Sequence, residues 1–68
     1  MRKLIRSAET KAFLTSDGVW THDIKKARPF PTSKAAQTAV HELQLETVEL
    51  YYSFDETHHS QWDFVLPL

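Results

Sequence analysis

The sequence contains no cysteine and a single glycine, and its lysines and arginines stop at residue 34. Without cysteine no disulfide can brace the fold, and thiolate zinc sites are excluded. With Gly18 as the only glycine, no glycine-rich loop can cradle a phosphate. Long apolar runs are missing as well, since no stretch approaches the roughly 20 apolar residues of a membrane span. Met1 to Arg6 begins in the manner of a signal peptide, but its apolar run is Leu4-Ile5 alone, too short for the core of such a leader. The expectation is a cytoplasmic protein with no membrane contact.

A chain of 68 residues makes a single small domain, 1–68. Such a domain buries only about 60% of its unfolded surface, so its core is small. Four Phe, two Trp and two Tyr must carry much of it. Domains of this size often gain stability by pairing with another copy.

The net charge of −1 hides an asymmetry. Residues 1–34 hold all eight basic residues against Glu9, Asp17 and Asp23, a net +5. Residues 35–68 hold six acids and no Lys or Arg, a net −6.

The strongest helix signal follows Pro29 and Pro31, which block a helix before residue 32. Thr32 stands where an N-cap belongs. After it, Ala36, Ala39, Val40 and Leu43 recur at helical spacing as one apolar stripe, predicting a helix from about 33 to 44. Phe30 is placed to fold under its first turn. Lys34 and Glu42 oppose the helix dipole, at a cost of about 0.3–1 kcal/mol each where screening is poor.

Strands are expected on both sides of this helix. Residues 2–6 read as a short strand around Leu4 and Ile5, and 11–15 as a second. Ser16-Asp17-Gly18 is a turn in which glycine supplies positive φ, and Val19 to Thr21 returns from it in extended form. Asp23 can cap a single helical turn carrying Ile24 and Ala27. Residues 46–54 alternate, with Val48, Leu50, Tyr52 and Phe54 on one face. After a polar loop at 55–60, residues 61–66 alternate again, with Trp62, Phe64 and Leu66 inward, and Pro67 ends the ladder. The expected fold is α+β: a mainly antiparallel four-stranded sheet, order β-β-α-β-β, with one covering helix and the third strand beside the first. The uncovered face carries Thr47, Glu49, Tyr51, Asp63 and Val65, to be wet or to meet a second copy.

The run Phe13-Leu-Thr-Ser-Asp-Gly-Val-Trp20, followed by Ala27-x-x-Phe30-x-Thr32-x-x-x-Ala36, resembles a recurring pattern of small bacterial and phage open reading frames. The resemblance covers about residues 11–43 and implies a hairpin leading into a capped helix, with no activity attached. The start of the helix also resembles that of the arm-binding domains of phage-type integrases, which present a basic sheet to DNA. Here the strands after the helix are acidic, a departure from that pattern.

Catalytic chemistry has little to stand on. No cysteine nucleophile exists, the serines and threonines fall at turns and caps, and no cofactor is implied. In the loop Asp55-Glu56-Thr57-His58-His59, with Asp63 beyond it, imidazoles and carboxylates are legitimate zinc or nickel ligands. Adjacent histidines on an extended backbone point apart, however, and no paired-ligand spacing fixes a site, so no metal ligand is assigned. His22 and His41 read as surface residues. Arg2, Lys3, Arg6, Lys25, Lys26 and Arg28, together with Lys11, can form a nucleic-acid-binding patch, with Trp20 or Phe13 for stacking. Alternatively, Glu46 and Glu49 face Arg2 or Arg6 as cross-strand pairs, or opposite charges meet between copies. The leading expectation is a non-enzymatic protein-interaction domain that self-associates as a homodimer. A nucleic-acid-binding accessory protein is the alternative, and metal binding at 55–63 the second alternative.

Overall fold

The computed structural model describes residues 1–55 and 57–68; Glu56, one of the loop carboxylates considered above, lies outside the described residues. Five strands form one antiparallel sheet: β1 (Arg2–Ser7), β2 (Phe13–Leu14), β3 (Trp20–Thr21), β4 (Val48–Ser53) and β5 (Phe64–Pro67). Their spatial order is β3-β2-β1-β4-β5. One helix, α1 (Ser33–Glu42), and a 3-10 turn over Ile24–Lys26 stand between β3 and β4. The α+β class and the central β1–β4 pair match the expectation from sequence. The count of four strands does not, because the return segment after Gly18 pairs Trp20 with Leu14 and Thr21 with Phe13 and so becomes a strand of its own. Gly18 makes that turn at φ +80. The order is therefore β-β-β-α-β-β.

The helix begins as its proline-flanked start predicts. Thr32 is extended and its Oγ1 accepts the Ala35 N–H at 3.0 Å. It ends at Glu42, earlier than 44. Gln44 takes a left-handed conformation, φ 53, and its N–H donates to the His41 carbonyl while Leu45 N–H donates to that of Val40. These two bonds close the helix end in the manner usually assigned to glycine. Ala36 and Ala39 are buried, whereas Leu43, expected in the stripe, is half exposed where the helix unwinds.

The sheet has a small core on each face. On the helix side, Ile5, Leu14, Phe30, Val48 and Leu50 pack against Ala36 and Ala39. On the other, Leu4, Phe13 and Tyr51 pack against Ile24 and Ala27. Asp23 caps the 3-10 turn through Lys25 N–H at 3.0 Å, as expected, and that turn roofs part of the second face. The open face expected around Tyr51 is thus closed there: Tyr51 is 4% exposed. Leu4 and Ile5, adjacent in β1, are both fully buried because each face takes one of them.

One helix cannot cover this sheet. Five strands about 4.8 Å apart span roughly 19 Å between the outer two, and a helix is about 10 Å across with its side chains. Helix α1 sits over the β1 side and leaves the β5 side open.

Candidate interaction surface

Strand β5 is apolar and exposed along its whole length. Phe64, Val65 and Leu66 are 45%, 38% and 48% accessible, and Leu68 beyond them 39%. Trp62, expected to point inward, is instead in the turn before β5 and 69% exposed. The connection between β4 and β5 is longer than the six residues expected, running from Phe54 to Asp63, so Trp62 never reaches the sheet. Pro67, expected to end the ladder, is part of it, opposite Glu49.

This register determines what the edge presents. Pro67 has no N–H, so its pair with Glu49 cannot exchange both ladder bonds. The alternation then gives Leu66–Leu50 and Phe64–Tyr52 as the bonded pairs and leaves Val65, opposite Tyr51, with its N–H and C=O aimed away from β4. The Asp63 N–H is engaged by the Ser60 carbonyl at 3.1 Å. From Asp63 to Pro67, Val65 carries the one backbone donor facing outward. A proline confined to alternate, outward-facing positions is the sequence mark of an edge strand, and that signal, Val65-Leu-Pro67, was available in the sequence but goes unused when Pro67 is taken as a terminator.

Phe64 and Leu66 of β5 continue the helix-side face, and Val65 takes the other. Phe64 stacks on Tyr52 at 4.5 Å between centroids, with planes 13° apart, and Phe54 lies 6.2 Å from Phe64. Lys3 Nζ approaches the Tyr52 ring, 5.9 Å from its centroid. Alongside, Val40, Leu45 and Leu68, with the polar Gln37, His41, Gln44 and Glu46, line an open groove of about 520 Å³ between the end of α1 and the residue beyond β5. Phe54, Tyr52, Phe64 and Leu66 form an apolar strip beside this groove, and no side chain from Phe64 to Leu68 is charged.

On the opposite face Asp55, His59 and Asp63 are tied down. Tyr51 Oη donates to Asp63 Oδ2 at 2.6 Å and stands 3.0 Å from His59 Nδ1. Its one proton serves Asp63, so His59 Nδ1–H is the donor to Tyr51. Asp63 also accepts the Phe54 and Ser60 N–H groups at 2.8 and 3.1 Å. Burial opposes ionisation of Asp63, but the Tyr51 hydroxyl and these two N–H groups outweigh it and lower its pKa. Tyr51 is pushed up, first by burial and then by its bond to the Asp63 carboxylate, with Arg6 opposing. A phenol held this firmly neutral is a structural donor, not a nucleophile. Asp55 caps its own turn, accepting the Thr57 and His58 N–H groups at 2.8 and 3.2 Å. Among the described residues no group of three or more His, Cys, Asp or Glu side chains is placed to hold a metal ion.

The six basic residues do not share one surface. Arg2 and Arg6 lie on the Tyr51 side of β1 and Lys3 on the helix side. Arg6 is half-buried, its Nε and Nη2 both on Glu49 Oε2 and its guanidinium 4.8 Å from the Tyr51 centroid. Arg2 Nη2 donates to the Ile24 carbonyl at 3.2 Å. Lys25 and Lys26 are exposed on the 3-10 turn, and Arg28 covers the Phe30 ring at 4.6 Å. Phe13, named as a stacking candidate, is 1% exposed, while Trp20 is 42% exposed at the far edge. His22 and His41 are at the surface, His22 Nε2 lying 3.0 Å from the Thr10 carbonyl. No helix among the described residues is long and apolar enough to cross a membrane. The chain matches no family model, no curated protein and no solved structure.

Proposed function

We propose that this chain is a small non-enzymatic protein-interaction domain that self-associates, and that β5 with the open strip beside α1 is its working surface. The observation that carries this reading is an edge strand that is apolar and exposed at every residue. Proteins ordinarily blunt such edges with charge or cover them, because a bare one pairs with another chain. Here Pro67 is the only blunting device, and no Lys or Arg lies anywhere beyond residue 34 to serve as another. The apolar neighbours Phe54, Phe64, Leu66 and Leu68 add a contiguous patch of the kind that marks interaction sites.

Mass measured by analytical ultracentrifugation between low micromolar and millimolar concentration tests the proposal. A monomer–dimer equilibrium is expected, and a strict monomer at every concentration refutes self-association. Nucleic-acid binding through Arg2, Lys3, Arg6, Lys25, Lys26 and Arg28 has less support, because Arg6 already neutralises Glu49 and the others are divided between two faces and a turn.

A further inference from the structure

Resting on that reading, we infer that two copies join β5 to β5, antiparallel and centred on Val65, to make one continuous ten-stranded sheet. Three features of the edge lead to this geometry. Val65 presents one outward N–H and one outward C=O, so a two-fold axis through it lets each copy donate to the other's Val65 carbonyl. The flanking donors make no demand on the partner: Asp63 N–H is spent on Ser60, and Pro67 has none. Finally, no side chain from Phe64 to Leu68 is charged, so pairing these residues brings no like-charged side chains together.

The side chains then fall into register. Phe64 of each copy stands opposite Leu66 of the other on the helix side, in the closely spaced type of pair. Val65 meets its own counterpart on the second face. Antiparallel neighbours within a sheet are related by an axis perpendicular to it, so both helices lie on the same side. The two open strips merge into a single trough between the helices, with an apolar floor of Tyr52, Phe64 and Leu66 from both copies. The uncovered width that one helix cannot span becomes the shared interior of the pair.

The absence of cysteine gives a clean test. Val65→Cys introduces the only thiol, at a position paired with itself across the axis and within disulfide reach. Mild oxidation is expected to yield a cross-linked dimer, whereas Trp20→Cys on the opposite edge yields none. In a second variant, Val65→Pro removes the outward N–H but no bond to β4. It is expected to keep the amide spectrum of a folded chain and to weaken dimerisation about tenfold or more. Isotope-filtered NMR on a mixed-label dimer is expected to show the Phe64 Hα close to the Leu66 Hα of the other copy. If the wild-type chain dimerises without this contact and Val65→Cys fails to cross-link, the geometry is overturned and self-association stands. If the chain is monomeric throughout, both fall, and the edge is left for a strand of a different protein. If Val65→Pro loses its fold, amide exchange of Val65 in the wild-type monomer decides: a protected N–H places it in the ladder with β4 and overturns the inference, and an unprotected one supports it.

Discussion

Tyr51 is the residue on which the second face depends. Its ring meets Phe13 edge-on, 5.1 Å between centroids, and its hydroxyl fastens Asp63 and His59 across the sheet. Tyr51→Phe preserves the ring but takes from Asp63 one of its three donors, so a loss of about 1–2 kcal/mol is expected in urea unfolding. A loss below the error of the method would show that the segment is held by its backbone bonds alone. The same network sets an acid limit. Asp63 has a lower pKa folded than unfolded, so it binds protons less readily in the native state. Its contribution is complete above the unfolded aspartate range near about pH 4 and is lost as pH falls through the folded value. Wild-type stability should decline on that acid side, and Asp63→Asn should decline less steeply from a lower starting value. Little of this was legible beforehand. Alternation assigned Asp63 outward and Tyr51 to an open face, since the period-2 pattern records which side a residue takes and not what covers that side.

At the scale of the element, α1 was readable because each of its signals is local. Pro29, Pro31 and Thr32 define its start by backbone chemistry that acts within one turn, and Ala36 and Ala39 mark its buried face. Thr32→Ala should cost about 1 kcal/mol, with Thr32→Ser close to wild type. Its end was less readable because no glycine follows it. Gln44 takes the left-handed position instead, which is costly for a residue with a Cβ. Gln44→Gly should therefore stabilise the chain by about 0.5–1 kcal/mol in the same urea assay, the relief at φ 53 exceeding the added freedom of the unfolded chain. An unchanged midpoint would mean that the two effects cancel. Single-glycine composition has this general consequence here: Lys11 and Thr47 also hold positive φ, and the turns they make carry no glycine to announce them. Short β3 escaped notice as a strand for a related reason, since two residues show no periodicity and acquire their identity only from pairing with β2.

For the whole molecule, one part of the charge asymmetry is an exchange between neighbours, centred on Glu49. Pairing of β1 with β4 puts Arg6 opposite Glu49, and Lys11 Nζ comes within 3.9 Å of the same carboxylate. The possibility of cross-strand pairing could be stated from sequence, but choosing it required the register, which depends on contacts more than forty residues apart. The helix covers the β1 side of the sheet, the 3-10 turn with His59 and Asp63 locks the other face, and the largest run of exposed apolar residues lies along β5. Two mechanisms of self-association therefore separate cleanly by their response to salt. Opposite charges meeting between copies are screened, since the Debye length falls from about 10 Å at 0.1 M to about 3 Å at 1 M. An apolar, uncharged edge is indifferent to that screening, and an excluded salt such as sulfate strengthens it. The dimer dissociation constant is expected to change less than about threefold on raising sodium chloride across that range, and to fall in sodium sulfate. A tenfold weakening in chloride would instead place the basic half of one copy against the acidic half of another, and would move the joint away from β5.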